Sequence, residues 1–143
     1  MPEHKILLVD DSEADLELIK LTLTELEQQM SVELALDGQA AFDHLLARLD
    51  RTQEQPELIV LDWNMPRLDG RGFLIKLRAH EALRAIPVIV FTSSDSKQDV
   101  ASSYAHGASC FLKKPIGLDE LQTVLQAVKG FWMDTAKLPG SRR

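Results

Sequence analysis

A single cysteine, Cys110, stands among 143 residues. An intramolecular disulfide and a cysteine zinc cluster are therefore excluded. The apolar neighbours of Cys110 suggest a strand, in which a small thiol packs as a hydrophobe. Positive charge is also scarce: 16 Lys and Arg face 22 Asp and Glu, for a net charge of −6. That balance favours no phosphate backbone, and no DNA binding is expected. No apolar run approaches the roughly 18 residues of a membrane span, and the N-terminus lacks the pattern of a signal peptide. No membrane association and a cytoplasmic location are expected. No glycine-rich loop follows the first strand signal, which argues against a flavin- or nucleotide-binding domain. Internal repeats and low-complexity linkers are absent too. What is there, 45% hydrophobic and 27% charged residues, suits one globular domain with one core.

The pattern is organised around residues 58 to 70, Leu-Ile-Val-Leu-Asp-Trp-Asn-Met-Pro-Arg-Leu-Asp-Gly. Leu58 to Leu61 are apolar without alternation, as in a strand buried on both faces of a parallel sheet. The run stops at Asp62, and Pro66 and Gly70 mark a loop. Asp62 is thus placed at the carboxyl end of a central strand, where open α/β sheets hold their ligands. Alone, such an aspartate would be read as a loop or helix cap.

The rest of the chain repeats the theme. Lys5 to Val9 form an apolar run ending in Asp10-Asp11-Ser12, with a helix over about 13–28 capped near Asp11 or Ser12. Leu16, Ile19, Leu23 and Leu26 give that helix an inward stripe. Ala14, Leu18 and Leu21 form a second strip, fitting either extra core or a partner surface. Ser31 to Leu36 alternate as a strand, and Phe42, Leu45, Leu46 and Leu49 mark a second helix. Phe73, Leu74 and Leu77 belong to a third. Pro87 to Phe91 are a further apolar run, ending at Thr92. A short polar helix over about 96–105 stops at Gly107. Ser109 to Leu112 read as a strand before Lys113-Lys114-Pro115. Leu118, Leu121, Leu125, Val128 and Trp132 stripe a last helix. Five strands alternating with five helices predict a doubly wound α/β fold with one parallel sheet.

This order gathers Asp10, Asp11, Asp62, Thr92 and Lys114 on one rim. Three crowded carboxylates repel unless a proton or cation intervenes. Oxygen donors without histidine or cysteine favour Mg2+. A carboxylate nucleophile, a divalent cation, a hydroxyl and a lysine are parts for phosphoryl transfer to aspartate. A Lys–Asp ion pair with helix caps is the plainer alternative.

With these residues in place, the whole chain resembles a response regulator receiver domain of two-component signalling. Asp62-Trp63-Asn64-Met65-Pro66 is similar to the motif of the chemotaxis regulators. Asp10-Asp11 matches the family's acid pair, Thr92 its switch hydroxyl and Lys114-Pro115 its Lys-Pro pair. The resemblance implies strand order 2-1-3-4-5. It implies that Asp62 accepts a phosphoryl group from a sensor histidine kinase. Asp11, Asp62 and the Asn64 carbonyl would hold Mg2+, and Asp10 would act through water or a hydrogen bond. Lys114 would bind a phosphoryl oxygen, and Thr92 and Phe111 would act as the switch pair. Phe111 lacks the hydroxyl of the tyrosine often found there.

The ending Phe131-Trp132-Met-Asp-Thr135-Ala-Lys-Leu138-Pro139, with Asp11-Ser12 and Asp15, resembles the single-domain regulators paired with phytochrome histidine kinases. That resemblance implies a homodimer, joined by the face of the fourth helix, fifth strand and fifth helix. Residues 1–130 are expected to form the receiver and 131–143 a tail serving as a dimerisation arm. Ala14, Leu18 and Leu21, with Asp15 at the edge, are expected to dock the kinase. An enzyme reading also exists, an Mg2+-dependent phosphatase with Asp62 as nucleophile. It would want a general acid two residues on, where Asn64 stands.

Overall fold

The computed structural model describes residues 4–49 and 54–140. Five parallel strands form one sheet, β1 Lys5–Val9, β2 Ser31–Ala35, β3 Leu58–Leu61, β4 Val88–Thr92 and β5 Cys110–Lys113, in the order β2-β1-β3-β4-β5. The helices between and after them are α1 Glu13–Leu26, α2 Gly38–Leu49, α3 Gly70–Ala79, α4 Lys97–Ala105 and α5 Leu118–Val128. A π-helical stretch, Lys129–Thr135, continues α5 directly.

Alternate residues of the central strands supply two cores, because successive side chains in a strand point to opposite faces. Leu7, Val9, Ile59, Leu61, Val88 and Val90 pack with Ala41 and Leu45 of α2 and Phe73, Leu74 and Leu77 of α3. Ile6, Leu8, Leu58, Val60, Ile89 and Phe91 pack with α1 and α5. The unbroken apolar runs of β1, β3 and β4 follow from this two-sided burial. In α1, Leu16, Ile19 and Leu23 are buried as expected, while Leu26 is only half-buried.

Local chemistry sets the helix starts. Ser12 caps α1 by accepting from the Asp15 N–H at 3.2 Å, Asp69 caps α3 through Gly72, and Ser96 caps α4 through Asp99. Each satisfies an orphan donor of a first turn. Gly107 ends α4 at φ +102°, a conformation only glycine adopts without strain, and its carbonyl accepts from Arg78 Nε at 3.1 Å and Nη2 at 2.7 Å.

Two parts depart from the sequence pattern. In α2, Leu49 is exposed, and Arg48 is the buried residue instead. Arg48 is held by the Glu33 carboxylate of β2, the Glu54 carbonyl and His44 Nε2. At the C-terminus, Met133 is fully buried in the second core, and Leu138 packs against the same cluster. Within the described part of the tail expected as an arm, the π-helical turns aim Met133 inward, and residues 141–143 of that tail lie outside the described residues.

Candidate functional site

The sheet ladder runs one residue past the strands at the carboxyl rim. The Asp10 N–H donates to the Ala35 carbonyl at 3.1 Å, the Asp62 N–H to Val9 at 2.8 Å and the Lys114 N–H to Thr92 at 2.7 Å. Main-chain bonds from neighbouring strands therefore fix the polar residues at this edge. Asp10, Asp62 and Thr92 are buried and Asp11 is exposed.

One carboxylate oxygen from each of Asp10, Asp11 and Asp62 lies within 4.8 Å of the others. The cluster offers only oxygen donors and fits a hard divalent cation. The Asp10 Oδ1 accepts from the Ser12 N–H at 2.9 Å, and Asp62 Oδ1 from the Trp63 N–H at 2.8 Å. These bonds leave Asp62 Oδ2 toward the lysine.

Lys114 Nζ donates to Asp10 Oδ2 at 2.5 Å and to Asp15 Oδ2 at 2.8 Å, and lies 4.0 Å from Asp62 Oδ2. Burial pushes the Asp10 carboxyl up, and the bonds from Lys114 and Ser12 offset this only in part. Burial pulls the Lys114 ammonium down, but its bonds to Asp10 and Asp15 outweigh that and leave it raised. Lys114 is therefore a fixed cation. Lys113 points elsewhere, to Asp95 at 3.2 Å on the exposed surface.

The loop after β3 is folded tightly over the site. The Gly70 N–H donates to the Trp63 carbonyl at 2.9 Å. A Cβ at Gly70 would come within 2.8 Å of both Trp63 Cα and the Asp62 carbonyl. Asn64 is exposed at the start of this loop. Arg67, at φ 68°, pairs with Asp37 at 3.2 Å and ties the loop to the start of α2.

Of the residues expected to signal, Thr92 ends β4, and Phe111 lies half-buried on β5 against the first core. The suspected docking strip divides: Ala14 and Leu21 are exposed, while Leu18 packs partly into the second core. Asp15 was placed at the edge of that strip, but its carboxylate reaches the site lysine. The signal for this was its place in the first turn of α1, which a cap at Ser12 turns back over the strand end. The Tyr104 hydroxyl, which accepts from the Phe111 N–H at 3.0 Å, was also not anticipated.

Comparison with known proteins agrees with this geometry. The family model described as response regulator receiver domain matches residues 6–126. The response regulator Rcp1 of Synechocystis sp. is 35% identical over 141 residues, 98% of this chain and 96% of Rcp1. The Mn2+-bound structure of Rcp1 superposes with a TM-score of 0.84, covering 95% of this chain and 99% of that one. The phosphorylated cyanobacterial phytochrome response regulator RcpA, 33% identical, gives 0.88 over 96% of this chain and 99% of its own. The bacteriophytochrome response regulator AtBRR, also 33% identical, gives 0.71 over 96% and 98%.

Proposed function

The chain belongs to the response regulator receiver domain family, and from that premise we propose that Asp62 accepts a phosphoryl group from the phosphohistidine of a phytochrome-type sensor kinase. The protein is a two-component response regulator close to the phytochrome regulators. The observation that carries the acceptor assignment is the position of Asp62, within 4.8 Å of two further acids and 4.0 Å from a lysine held by carboxylates.

In this reading Asp10, Asp11, Asp62 and the Asn64 carbonyl would hold Mg2+. Bound there, the cation would neutralise charge between the acceptor carboxylate and the incoming phosphoryl group. A carboxylate oxygen of Asp62 attacks phosphorus in line. The P–O bond forms as the P–N bond of the phosphohistidine breaks, and the imidazole leaves with the electron pair. Lys114 supplies positive charge to a phosphoryl oxygen, and the Thr92 hydroxyl donates to another. Phe111 then turns further inward and alters the β5 face. The phosphatase reading is weaker, because exposed Asn64 has no proton to give and take back as a general acid.

Asp62→Asn should abolish acid-labile label from a phosphorylated kinase, and full labelling of that variant would refute the assignment. The kinase would dock on α1, where Leu21 is exposed, and on the loop before α5, where Ile116 and Leu118 are exposed at a groove of about 100 Å³. Leu21→Glu should slow transfer from the kinase more than labelling by a small phosphodonor. Equal slowing would rule out docking there.

The output surface is assigned to a homodimer through the face of α4, β5 and α5. An open apolar groove of about 520 Å³ lies there between Cys110, Leu112, Val124, Val128, Phe131 and Trp132. Phe131 is exposed and packs edge-on against Trp132 with centroids 5.2 Å apart. Aromatic anchors of this kind are enriched in interfaces. Light scattering at concentrations on the order of tens of micromolar should give a dimer, and Phe131→Glu a monomer. A monomeric wild type would refute the dimer.

A further inference from the structure

The first turn of α1 contributes a carboxylate that the phosphoryl chemistry above does not use. Asp15 Oδ2 accepts from Lys114 Nζ at 2.8 Å, against 4.0 Å from the same nitrogen to Asp62 Oδ2. The third neighbour, Asp10, lies at 2.5 Å. An ammonium has three donors, and two are committed to Asp10 and Asp15. Both partners are fixed by main-chain bonds close by. Asp10 is tied to the Ser12 N–H and the Ala35 carbonyl, and the Asp15 N–H is tied to the Ser12 hydroxyl. The lysine is therefore drawn to the α1 side of the rim and away from the acceptor.

We propose that Asp15 is a positioning residue, which holds Lys114 off Asp62 and opposes its movement onto an incoming phosphoryl group. The inference rests on the reading of Asp62 as the phosphoryl acceptor. A phosphoryl dianion at Asp62 competes with Asp15 for one ammonium. Movement of the lysine onto a phosphoryl oxygen at Asp62 works against the pull of the Asp15–Lys114 bond. The pair also forms part of the wall of the groove with Leu18, Pro115 and Leu118. A partner seated there touches the carboxylate that restrains the site lysine.

The test compares two variants of equal charge change. Asp15→Asn removes the restraint. Glu13→Gln removes one exposed acid from the same turn at a residue that does not hold Lys114, and so corrects for weaker repulsion of an anionic donor. Labelling by acetyl phosphate in Mg2+ is followed to saturation. Asp15→Asn should lower the half-saturating concentration about threefold relative to Glu13→Gln, the scale of a half-exposed ion pair, and Asp15→Glu should restore the wild-type value. Without any donor, Lys114 should react faster with an amine-acylating reagent in Asp15→Asn than in Glu13→Gln, as read by peptide mass spectrometry. If the wild type labels at Asp62 but the two neutral variants match in both readouts, or Asp15→Asn raises the half-saturating concentration, the positioning role is overturned. If the wild type takes no label at Asp62, the acceptor reading fails and this inference fails with it.

Discussion

The Tyr104 hydroxyl of α4 accepts the main-chain N–H of Phe111 on β5 at 3.0 Å. β5 is the edge strand of the sheet, so this N–H points away from β4 and has no ladder partner. An unpaired edge donor invites pairing with another chain. Tyr104 closes it with a side chain, although its ring is half exposed. Tyr104 of α4 and Phe111 of β5 are thereby joined through the backbone and not through a hydroxyl on residue 111.

Tyr104→Phe tests that coupling. The exposed edge lets water replace the lost partner, so the cost should be small, about 0.5–1.5 kcal/mol. Amide exchange at Phe111 should quicken markedly, while exchange at Val90, deep in β4, stays slow. Hydrogen exchange read residue by residue by NMR checks both. An unchanged Phe111 amide would show that the hydroxyl does not protect it.

Met133 gives a second prediction. It is fully buried, at 0% exposure, in the core beneath α1 and α5. Met133→Ala should destabilise the fold by about 2–5 kcal/mol through lost burial and a residual cavity. The denaturant midpoint should fall, with labelling at Asp62 retained under native conditions. A change below about 0.5 kcal/mol, the usual range of surface substitutions, would mean that the π-helical stretch does not pack as described.

Cys110 gives a third. Burial pushes its thiol up, and the thiolate is the reactive form. Alkylation by iodoacetamide at pH 8 should be slower than for free cysteine. Its rate should climb as pH passes above the ordinary thiol range, because the half-buried group ionises later. Phe131→Glu should speed the reaction if a second copy covers the groove that Cys110 lines. A rate equal to that of free cysteine at pH 8 would contradict the burial.

The strands and the rim were legible in the sequence because their signals are local. Leu58 to Leu61 must be a two-sided strand, and a polar residue must follow where the strand leaves the core. Choosing Lys114 over Lys113 needed the resemblance, and the structure separates them by what each ammonium meets. Arg48 was not legible. Its burial depends on Glu33, 15 residues earlier on another element, and helical periodicity carries no information about such a partner. Leu49 was assigned inward by the same periodicity, and that position fell to the exposed side. The packing of Met133 was not legible for a related reason: the π-helical turns after α5 that carry it into the second core leave no local signal. Asp15 lay in plain view, but a first-turn acid is usually read as a favourable charge at a helix N-terminus.

The last prediction concerns cation binding and uses the two tryptophans as reporters on opposite sides of the sheet. Trp63 is buried in the first core, directly after Asp62, and its main-chain N–H donates to Asp62 Oδ1 at 2.8 Å. Trp132 packs against the second core at the end of the last helix. A divalent cation drawn to Asp10, Asp11 and Asp62 changes the charge next to the first indole and leaves the second screened by the sheet. Mg2+ titration should therefore shift the emission of the wild type and of Trp132→Phe alike. Trp63→Phe should lose most of the signal. Asp11→Asn, which removes the exposed acid of the cluster, should keep the emission of Trp63 but weaken its response to Mg2+. Gly70→Ala should also blunt the response, since the new Cβ would press on Trp63 Cα and the Asp62 carbonyl, each 2.8 Å away, and displace the loop that carries Asn64. Full retention of the Mg2+ signal in Trp63→Phe would place the cation somewhere other than this rim.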